Sequence, residues 1–187
     1  MDTDKVIAAS KSLLRSSFDQ AALVEFLGQI GASVGADRAY VFENEDTPDG
    51  RTLAHQRYEW NSGAAEAQID NPELQGLVMS DLLSHWLESF ERGEPLFGIV
   101  REMTAADRDI LGPQDILSIL VCPIRVRGEV WGFVGFDDCT RERVWTAEER
   151  GVLSVASNAL AAALRHRQVS AGLAASRSAL RKAIGGP

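Results

Sequence analysis

The stretch Ile116–Cys139 limits the possible folds more than any other part of the sequence. Two β-rich runs, Ile116–Val126 and Val130–Asp138, flank Arg127-Gly128-Glu129, a pattern that predicts a tight antiparallel hairpin. Apolar side chains occur on both faces of both runs, whereas a strand with one solvated face would alternate. We therefore expect this hairpin near the centre of a sheet that is covered on both faces.

The size and composition of the chain fit one globular domain with helical extensions. Its 187 residues are 45% hydrophobic and 25% charged, so neither disorder nor a membrane class is indicated. No apolar run approaches the roughly 20 residues that span a bilayer, and the start MDTDKV lacks signal-peptide features. These observations predict a cytoplasmic location without membrane insertion. The formal net charge of −8 disfavours nucleic acid as the main partner.

Hydrophobic periodicity and capping residues predict helices on both sides of the sheet. The predicted helices are Asp2–Ser17, which is amphipathic, then Asp19–Gly31, a helix capped by Ser80 or Asp81 and ending at Gly93, Thr104–Leu111, and a long helix from Trp145. Alternation predicts further strands at Arg38–Glu43, at Leu53–Trp60 as a sheet edge, and at Leu96–Arg101. The segment Asn61–Ser80 is expected to be irregular.

The last helix continues beyond the length that one domain needs. Positions spaced alternately by three and four residues form a coiled-coil seam, which is rich in alanine and therefore weak. The seam positions are Val152, Val155, Ala159, Ala162, His166, Val169, Leu173, Ser176 and Leu180. We expect a homodimer through the terminal helices, with Gly185-Gly186-Pro187 ending the helix or opening a linker.

Several segments resemble a bacterial GAF domain, a sensor and input module of signalling proteins. They are GADRAYVFEN (Gly35–Asn44), QRYEW (Gln56–Trp60), IDNPELQ (Ile69–Gln75), SILVCPIRVRGEVWGFVGFDD (Ser118–Asp138) and WTAEE (Trp145–Glu149). The resemblance covers about Asp19–Arg167. We accordingly divide the chain into an N-terminal amphipathic helix (1–18), a GAF domain (19–167) and a C-terminal helical extension or linker toward an output domain (168–187).

The resemblance implies an α+β fold with a central antiparallel sheet of about six strands. Terminal helices would cover one face and often form a parallel dimer, whereas middle helices and long loops would roof a small-molecule pocket on the other face. Members of the family commonly precede histidine kinases or diguanylate cyclases, so a place in a two-component system is expected. Their ligands are diverse, and the identity of a ligand or cofactor stays open.

Two cofactor classes of similar domains are set aside on the sequence. Covalent tetrapyrrole sensors attach the pigment through a cysteine before the hairpin, but the segment DRDILGPQDI has no thiol, so we expect no covalent tetrapyrrole. Cyclic-nucleotide GAF domains carry an Asn-Lys pair that this sequence lacks, so a cyclic nucleotide is not supported. Asp137 and Asp138 point to opposite faces of one strand, and no metal site is predicted.

The sequence offers no catalytic residues. Cys122 and Cys139 would lie roughly 17 Å or more apart along the hairpin, too far for a disulfide, and there is no third thiol. His55, His85 and His166 have no partner visible in the sequence. We therefore expect a protein that is not an enzyme.

Aromatic side chains give the clearest functional signal, because several can converge on the pocket face with polar anchors from Asp137, Arg38 or Arg57. The candidate pocket residues are Tyr40, Phe42, Tyr58, Trp60, Trp86, Phe97, Val121, Phe133, Gly135 and Asp137. Along the hairpin, Trp131 is assigned to the same face, and Gly132, Val134 and Phe136 to the terminal helices. Aromatic residues on strand faces usually belong to the hydrophobic core, which is the alternative to a pocket. A slip of one residue at the hairpin turn would also move every side chain of one strand to the other face of the sheet.

The favoured interpretation is a regulatory GAF domain that binds a small ligand, or responds to a partner, and transmits through a dimeric C-terminal helix. The alternative is a ligand-free dimerisation module. An enzyme such as a free methionine sulfoxide reductase is a third and weaker hypothesis.

Overall fold

The computed structural model describes residues 3–16 and 18–184. Its helices are α1 (Thr3–Arg15), α2 (Gln20–Val34), α3 (Met79–Leu82), α4 (Ser84–Glu91), α5 (Ala105–Leu111) and α6 (Ala147–Ile184). Its strands are β1 (Arg38–Asp46), β2 (Thr52–Asn61), β3 (Gln75–Val78), β4 (Leu96–Ile99), β5 (Ser118–Val126) and β6 (Glu129–Asp138). The strands form one antiparallel sheet in the order β3-β2-β1-β6-β5-β4.

The predicted hairpin is β5–β6, and its turn holds two residues. Val126 pairs with Glu129, while Arg127 and Gly128 have φ angles of 57° and 97°. Positive φ at both central positions characterises the type I′ turn, whose twist matches that of antiparallel strands. The turn therefore fixes the register that places Cys122 opposite Val134 and Val121 opposite Gly135.

Two separate hydrophobic clusters cover the two faces of the sheet. One joins the sheet to α1, α2 and α6 through buried residues such as Leu27, Val134 and Leu160. The other joins it to α3, α4 and α5 through residues such as Leu83 and Phe133. The predicted α+β fold, with terminal helices on one face and middle helices on the other, is confirmed.

The sheet has one more strand on the β2 side than the sequence predicts. β2 is not an edge, because Leu53 pairs with Val78 of β3 in the segment that was expected to be irregular. β3 has only four residues and includes Gly76 at a φ of 75°, so it carries no alternating pattern. α2 also runs past Gly31 to Val34, where Gly35 adopts the left-handed conformation that ends many helices.

α6 extends well beyond the sheet. It begins after Thr146, whose backbone amide donates to Glu149 at 2.8 Å, and Val155, Val169 and Leu173 of the predicted seam are 45%, 59% and 53% exposed. Some predicted positions lie outside the described residues, namely Asp2, Ser17 and the helix end at Gly185-Gly186-Pro187. The same holds for the side chain of the seam residue Leu180. Within residues 3–16 and 18–184, none of the helices combines the length and the apolar character that a bilayer crossing requires.

Gly132→Ala is expected to lower the free energy of unfolding by about 2–3 kcal/mol, because an added Cβ at Gly132 would lie 2.0 Å from the carbonyl oxygen of Phe42 on the paired strand. The matched control is Gly151→Ala in α6. There a Cβ has no heavy atom within 4 Å, and the gain in helix propensity should stabilise the protein by roughly 0.5–1 kcal/mol. Urea unfolding of both variants measures the difference. Equal stability of the two variants would contradict the tight β1–β6 approach.

Candidate functional site

A cavity lies between the sheet and the layer formed by α3, α4 and α5. The space inside it amounts to about 30 Å³, room for one or two water molecules, so a larger ligand would have to displace lining side chains. Its walls are contributed by β1, β2, β3, β5 and β6 together with the middle helices and loops. The lining residues are Arg38, Tyr40, Phe42, Gln56, Glu59, Gln68, Leu74, Leu77, Leu83, Trp86, Ile110, Leu111, Gln114, Ile116, Ile119, Phe133 and Asp137.

A buried ion pair forms the polar end of the cavity. Arg38 Nε donates to Asp137 Oδ2 at 3.1 Å, with the two side chains only 1% and 2% exposed, and the Tyr40 hydroxyl donates to Asp137 Oδ1 at 3.0 Å. Burial raises the pKa of Asp137 to about 6, although Arg38 acts in the opposite direction. Burial and the adjacent Asp137 carboxylate raise the pKa of Tyr40 well above its ordinary value. At neutral pH the carboxylate is therefore ionised and Tyr40 remains a donor.

Arg38 also ties two loops to the sheet. Its terminal nitrogens donate to the carbonyl oxygens of Glu66 and Gln114, each at 3.0 Å. Glu66 lies in the connection between β2 and β3, and Gln114 lies in the turn before β5. One side chain therefore closes two borders of the cavity while its charge is balanced by Asp137.

Aromatic rings form the apolar wall. The Phe42 and Phe133 rings stack with centroids 4.7 Å apart, and Trp86 meets Phe133 edge to face at 6.1 Å. The Trp86 indole nitrogen donates to Asp107 Oδ1 at 2.7 Å, which ties α4 to α5. His85 Nε2 lies 3.1 Å from the same carboxyl oxygen, so His85 also joins α4 to Asp107 of α5. His85 does not line the cavity.

Five of the ten predicted pocket residues line this cavity: Tyr40, Phe42, Trp86, Phe133 and Asp137. Val121 is buried in the cluster on the same face of the sheet. Gly135 lies beneath the Tyr40 ring, where an added Cβ would come within 2.4 Å of the Tyr40 hydroxyl oxygen. The glycine therefore makes room for the ring that reaches Asp137. Ligand binding by these residues stays a prediction.

Tyr58 and Trp60 were assigned to the wrong face. A bulge between Val41 and Phe42 pairs Tyr58 with Val41 and Trp60 with Ala39, which lie in the cluster under the terminal helices. The Trp60 ring lies against α2, where a Cβ on Gly28 or Gly31 would come within 2.8 Å of it. Two glycines three residues apart on a helix were the sequence signal for this packing.

Trp131 and Phe97 are also corrected. A register shift between Ile124 and Arg125 leaves Trp131 as the extra residue of β6, and it packs with the terminal-helix cluster. Phe97 pairs with Leu120 of that cluster and is 39% exposed, with the Arg150 guanidinium 4.4 Å from the centre of its ring. Neither residue lines the cavity.

The sequence interpretation missed the polar residues that β2 and the loops contribute. The bulge turns Gln56 and Glu59 toward the cavity, opposite Phe42 and Tyr40. Both Glu59 oxygens accept from the Gln68 backbone amide at 3.0 Å, and one accepts from Gln56 Nε2 at 2.6 Å. Strand alternation counted without a bulge puts Gln56 and Glu59, which are three residues apart, on opposite faces of the sheet, so it does not bring both to one cavity.

The two cysteines are separated by the sheet. Cys122 is buried in the terminal-helix cluster, whereas Cys139 packs against the cluster on the cavity side. Burial raises the pKa of both thiols to about 12, so neither is a thiolate at neutral pH. Among the described residues, no group of three His, Cys, Asp or Glu side chains is arranged to hold a metal ion.

The residue after Asp137 belongs to an ionic network on the other face. Asp138 accepts from Arg141 Nε at 2.8 Å and from Arg143 at 3.3 Å. Arg143 also donates to the Val34 carbonyl oxygen and pairs with Glu149 in the first turn of α6. Burial opposes ionisation of Asp138, but these hydrogen bonds outweigh it and hold its pKa below the ordinary value.

The fold and the sequence together assign the chain to a known domain family. The family model for the GAF domain matches residues 20–164, and the chain belongs to this family. It is 43% identical over 178 residues to the methanogenesis regulatory histidine kinase FilI of Methanothrix harundinacea, a match that covers 95% of this chain and 20% of that protein. The chain thus spans about a fifth of this relative. A second relative, an uncharacterized protein of Azorhizobium caulinodans, is 30% identical over 100 residues, which cover 54% of this chain and 14% of that protein.

Solved GAF domains share the architecture at low sequence identity. A phycocyanobilin-bound GAF domain from a cyanobacterial phytochrome superposes with a TM-score of 0.74 at 16% identity and covers 91% of this chain and 97% of its own. A far-red absorbing dark state with bound biliverdin gives a TM-score of 0.72 at 14% identity, covering 88% and 99% of the two chains. These likenesses establish the fold.

The expectation about cofactors has to be corrected on these structures. The sequence interpretation expected no covalently attached tetrapyrrole because the segment before the hairpin lacks a thiol. Solved GAF domains of this architecture nevertheless hold biliverdin and phycocyanobilin. A missing cysteine at one position is therefore not a sufficient ground for excluding this ligand class. Covalent attachment to this chain is not established.

Asp137→Asn is expected to destabilise the fold more at pH 4 than at pH 7. The folded-state pKa of Asp137 is about 6 and its ordinary value is 3.8, so this group stabilises the folded state at low pH. That contribution, roughly 3 kcal/mol in the free energy of unfolding, is lost as the pH rises through 6. Urea titrations of wild type and variant between pH 4 and 7 measure the change.

Asp138→Asn is the contrasting control. The pKa of Asp138 is lowered, so its contribution is present above the ordinary pKa and is lost as the pH falls. The penalty of this substitution should grow with rising pH while that of Asp137→Asn shrinks. If the stability penalties of both variants changed in the same direction with pH, the assignment of Asp137 as a carboxyl whose pKa is raised by burial would be contradicted.

Proposed function

We propose that the chain is the sensory input domain of a signal-transduction protein, which binds a small ligand in the cavity and transmits its presence through α6. The observation that carries the proposal is the arrangement of two consecutive residues. Asp137 forms the polar end of the cavity, and Asp138 joins the network that reaches the first turn of α6. The similarity to a regulatory histidine kinase supports a signalling context. The cytoplasmic location stays a prediction.

The proposed mechanism is a shift between two arrangements of α6. A ligand can move such an equilibrium only as far as its affinities for the two states differ. Contacts with Tyr40 or Asp137 would act on the end of β6, and Arg143 connects that end to both α2 and α6. Trp145 reinforces the connection, since its ring stacks on Phe136 of β6 at 6.2 Å.

A small molecule held in the cavity is expected to stabilise the native state. At a free ligand concentration of 100 times Kd the gain is about 2.7 kcal/mol, or roughly 5–10 °C in Tm for a chain of this size. Native mass spectrometry and the absorbance spectrum of the purified protein should reveal a ligand that co-purifies, including a bilin. A thermal-shift screen of metabolites extends the search.

Leu77→Phe is the variant that assigns the ligand to this cavity, because Leu77 lines it and is only half-buried. We expect this substitution to fill the space and abolish the shift. Leu82→Phe, at an exposed position of α3, should retain it. Equal shifts in both variants would place the ligand elsewhere.

The alternative is a dimerisation module that binds no ligand. The stacked rings of Phe42 and Phe133, with Trp86 and Phe90 against Phe133, favour it, because aromatic packing of this kind also fills a core. If mass spectrometry finds no co-purified ligand and no compound in the screen raises the Tm, the result would support this function and contradict ligand sensing.

We also propose that the domain is not an enzyme, which the protonated and separated thiols support.

Both functions predict a dimer through the terminal helices. Glutamate at Val169 and Leu173, which are more than half exposed on the seam of α6, should convert a dimer into a monomer by burying charge at the interface. The control places glutamates at Ala171 and Ala175, which lie off the seam on the same helix. Light scattering of the full chain gives the masses. A dimer that survives the seam substitutions would contradict this interface.

A further inference from the structure

Two carboxyl groups line the cavity, and a single guanidinium lies on the strand between them. Arg38 is on β1, Asp137 is its partner on the neighbouring strand β6, and Glu59 is on β2 at the other side of β1. The other lining residues carry no charge at neutral pH, including Tyr40, whose pKa is raised by burial. At neutral pH the lining therefore holds two carboxylates and one cation.

Arg38 contacts only one of these carboxylates. Its Nε donates to Asp137 Oδ2 at 3.1 Å, and its two terminal nitrogens donate to backbone carbonyl oxygens. Glu59 accepts from neutral donors, the Gln68 backbone amide and the Gln56 side-chain amide. Burial lowers the pKa of Arg38, but the surrounding groups, Asp137 first and Glu59 among the others, outweigh burial. The guanidinium therefore has a second carboxylate within its electrostatic reach.

Asp137 is poised to take up a proton in mildly acidic solution. Burial raises the pKa of Asp137 to about 6, with Arg38 acting against this effect and Glu59 adding to it. The titratable and charged groups that face Asp137 are Arg38 and Tyr40 of β1, Glu59 of β2 and the Cys139 thiol after β6. The thiol stays neutral because its pKa is raised to about 12. Protonation of Asp137 would leave Glu59 as the anion that faces Arg38.

We propose that the cavity is a proton-operated switch, in which Arg38 pairs with Asp137 while that carboxyl is ionised and turns to Glu59 when the carboxyl binds a proton from solvent. A proton adds no volume, so this signal fits a cavity of about 30 Å³. The inference rests on the proposed transmission from β6 to α6 and adds the proton as a signal for the same cavity.

The exchange of partners would reach both the loops and α6. Arg38 holds the carbonyl oxygens of Glu66 and Gln114, so a turn toward β2 loosens two borders of the cavity. It also removes the ion pair between β1 and the end of β6. The next residue there is Asp138, which Arg143 connects to α2 and α6.

A pH titration of the full chain by nuclear magnetic resonance tests the switch. The carboxyl carbon of Asp137 reports proton uptake, and the indole N–H of Trp145, whose ring stacks on Phe136 of β6, reports the start of α6. Both signals should move between about pH 7.5 and about pH 5 with a shared midpoint near 6. Asp137→Asn should abolish the step in the Trp145 signal.

Histidine side chains ordinarily titrate in the same range of pH, so they need a control. The Trp145 step should survive in His55→Gln, His85→Gln and His166→Gln, each made alone. A step that disappears with one of these histidines would overturn the inference.

Glu59→Gln tests the exchange of partners. The midpoint of Asp137 should fall by at least about 0.5 pH unit, because a like charge nearby disfavours ionisation. The Trp145 step should also shrink, because Arg38 has no second carboxylate to turn to. Glu88→Gln removes the same charge from an exposed position of α4 and should change neither. An unchanged midpoint and step in Glu59→Gln would contradict the exchange.

If Asp137→Asn fails to fold, the wild-type titration and Glu59→Gln decide. An Asp137 carboxyl that stays ionised down to about pH 5, or a Trp145 signal that does not follow it, would overturn the inference. The search for a co-purified ligand and the metabolite screen then decide separately on ligand sensing.

Discussion

The buried pair of Arg38 and Asp137 is the interaction on which the cavity depends. It joins the adjacent central strands β1 and β6, and the remaining donors of Arg38 hold the loop at Glu66 and the turn at Gln114. The pair therefore defines the polar end of the cavity and positions two of its borders.

The alternation of side chains along β6 places the cavity and the terminal helices on the two sides of one strand. Phe133 and Asp137 face the cavity, while Val134, Phe136 and Asp138 face the terminal helices. A single backbone carries both sets, so a displacement of β6 on one face changes the contacts on the other. Interiors packed to crystal density transmit such displacements because they have little free volume. The sensory proposal uses this property of a sheet with two covered faces.

The sequence predicted the architecture well and the cavity only in part. Apolar residues on both faces of the hairpin correctly indicated a central position, and the caps at Asp19 and Thr104 marked true helix starts. The errors at Tyr58, Trp60 and Trp131 come from two bulges, each of which inserts one residue and changes the facing of its neighbours. A bulge is stabilised by pairing between strands that are distant in sequence, so local periodicity does not reveal it.

The most direct test of the account is whether a change confined to the cavity reaches α6. Hydrogen exchange of the full chain can be compared between wild type, Leu77→Phe, which fills the cavity, and the exposed control Leu82→Phe. Coupling of at least 1 kcal/mol corresponds to about a fivefold change in exchange rate for the amides that open with the first turns of α6. The account predicts this change in Leu77→Phe alone. A change limited to the cavity lining, with α6 unaltered, would contradict it.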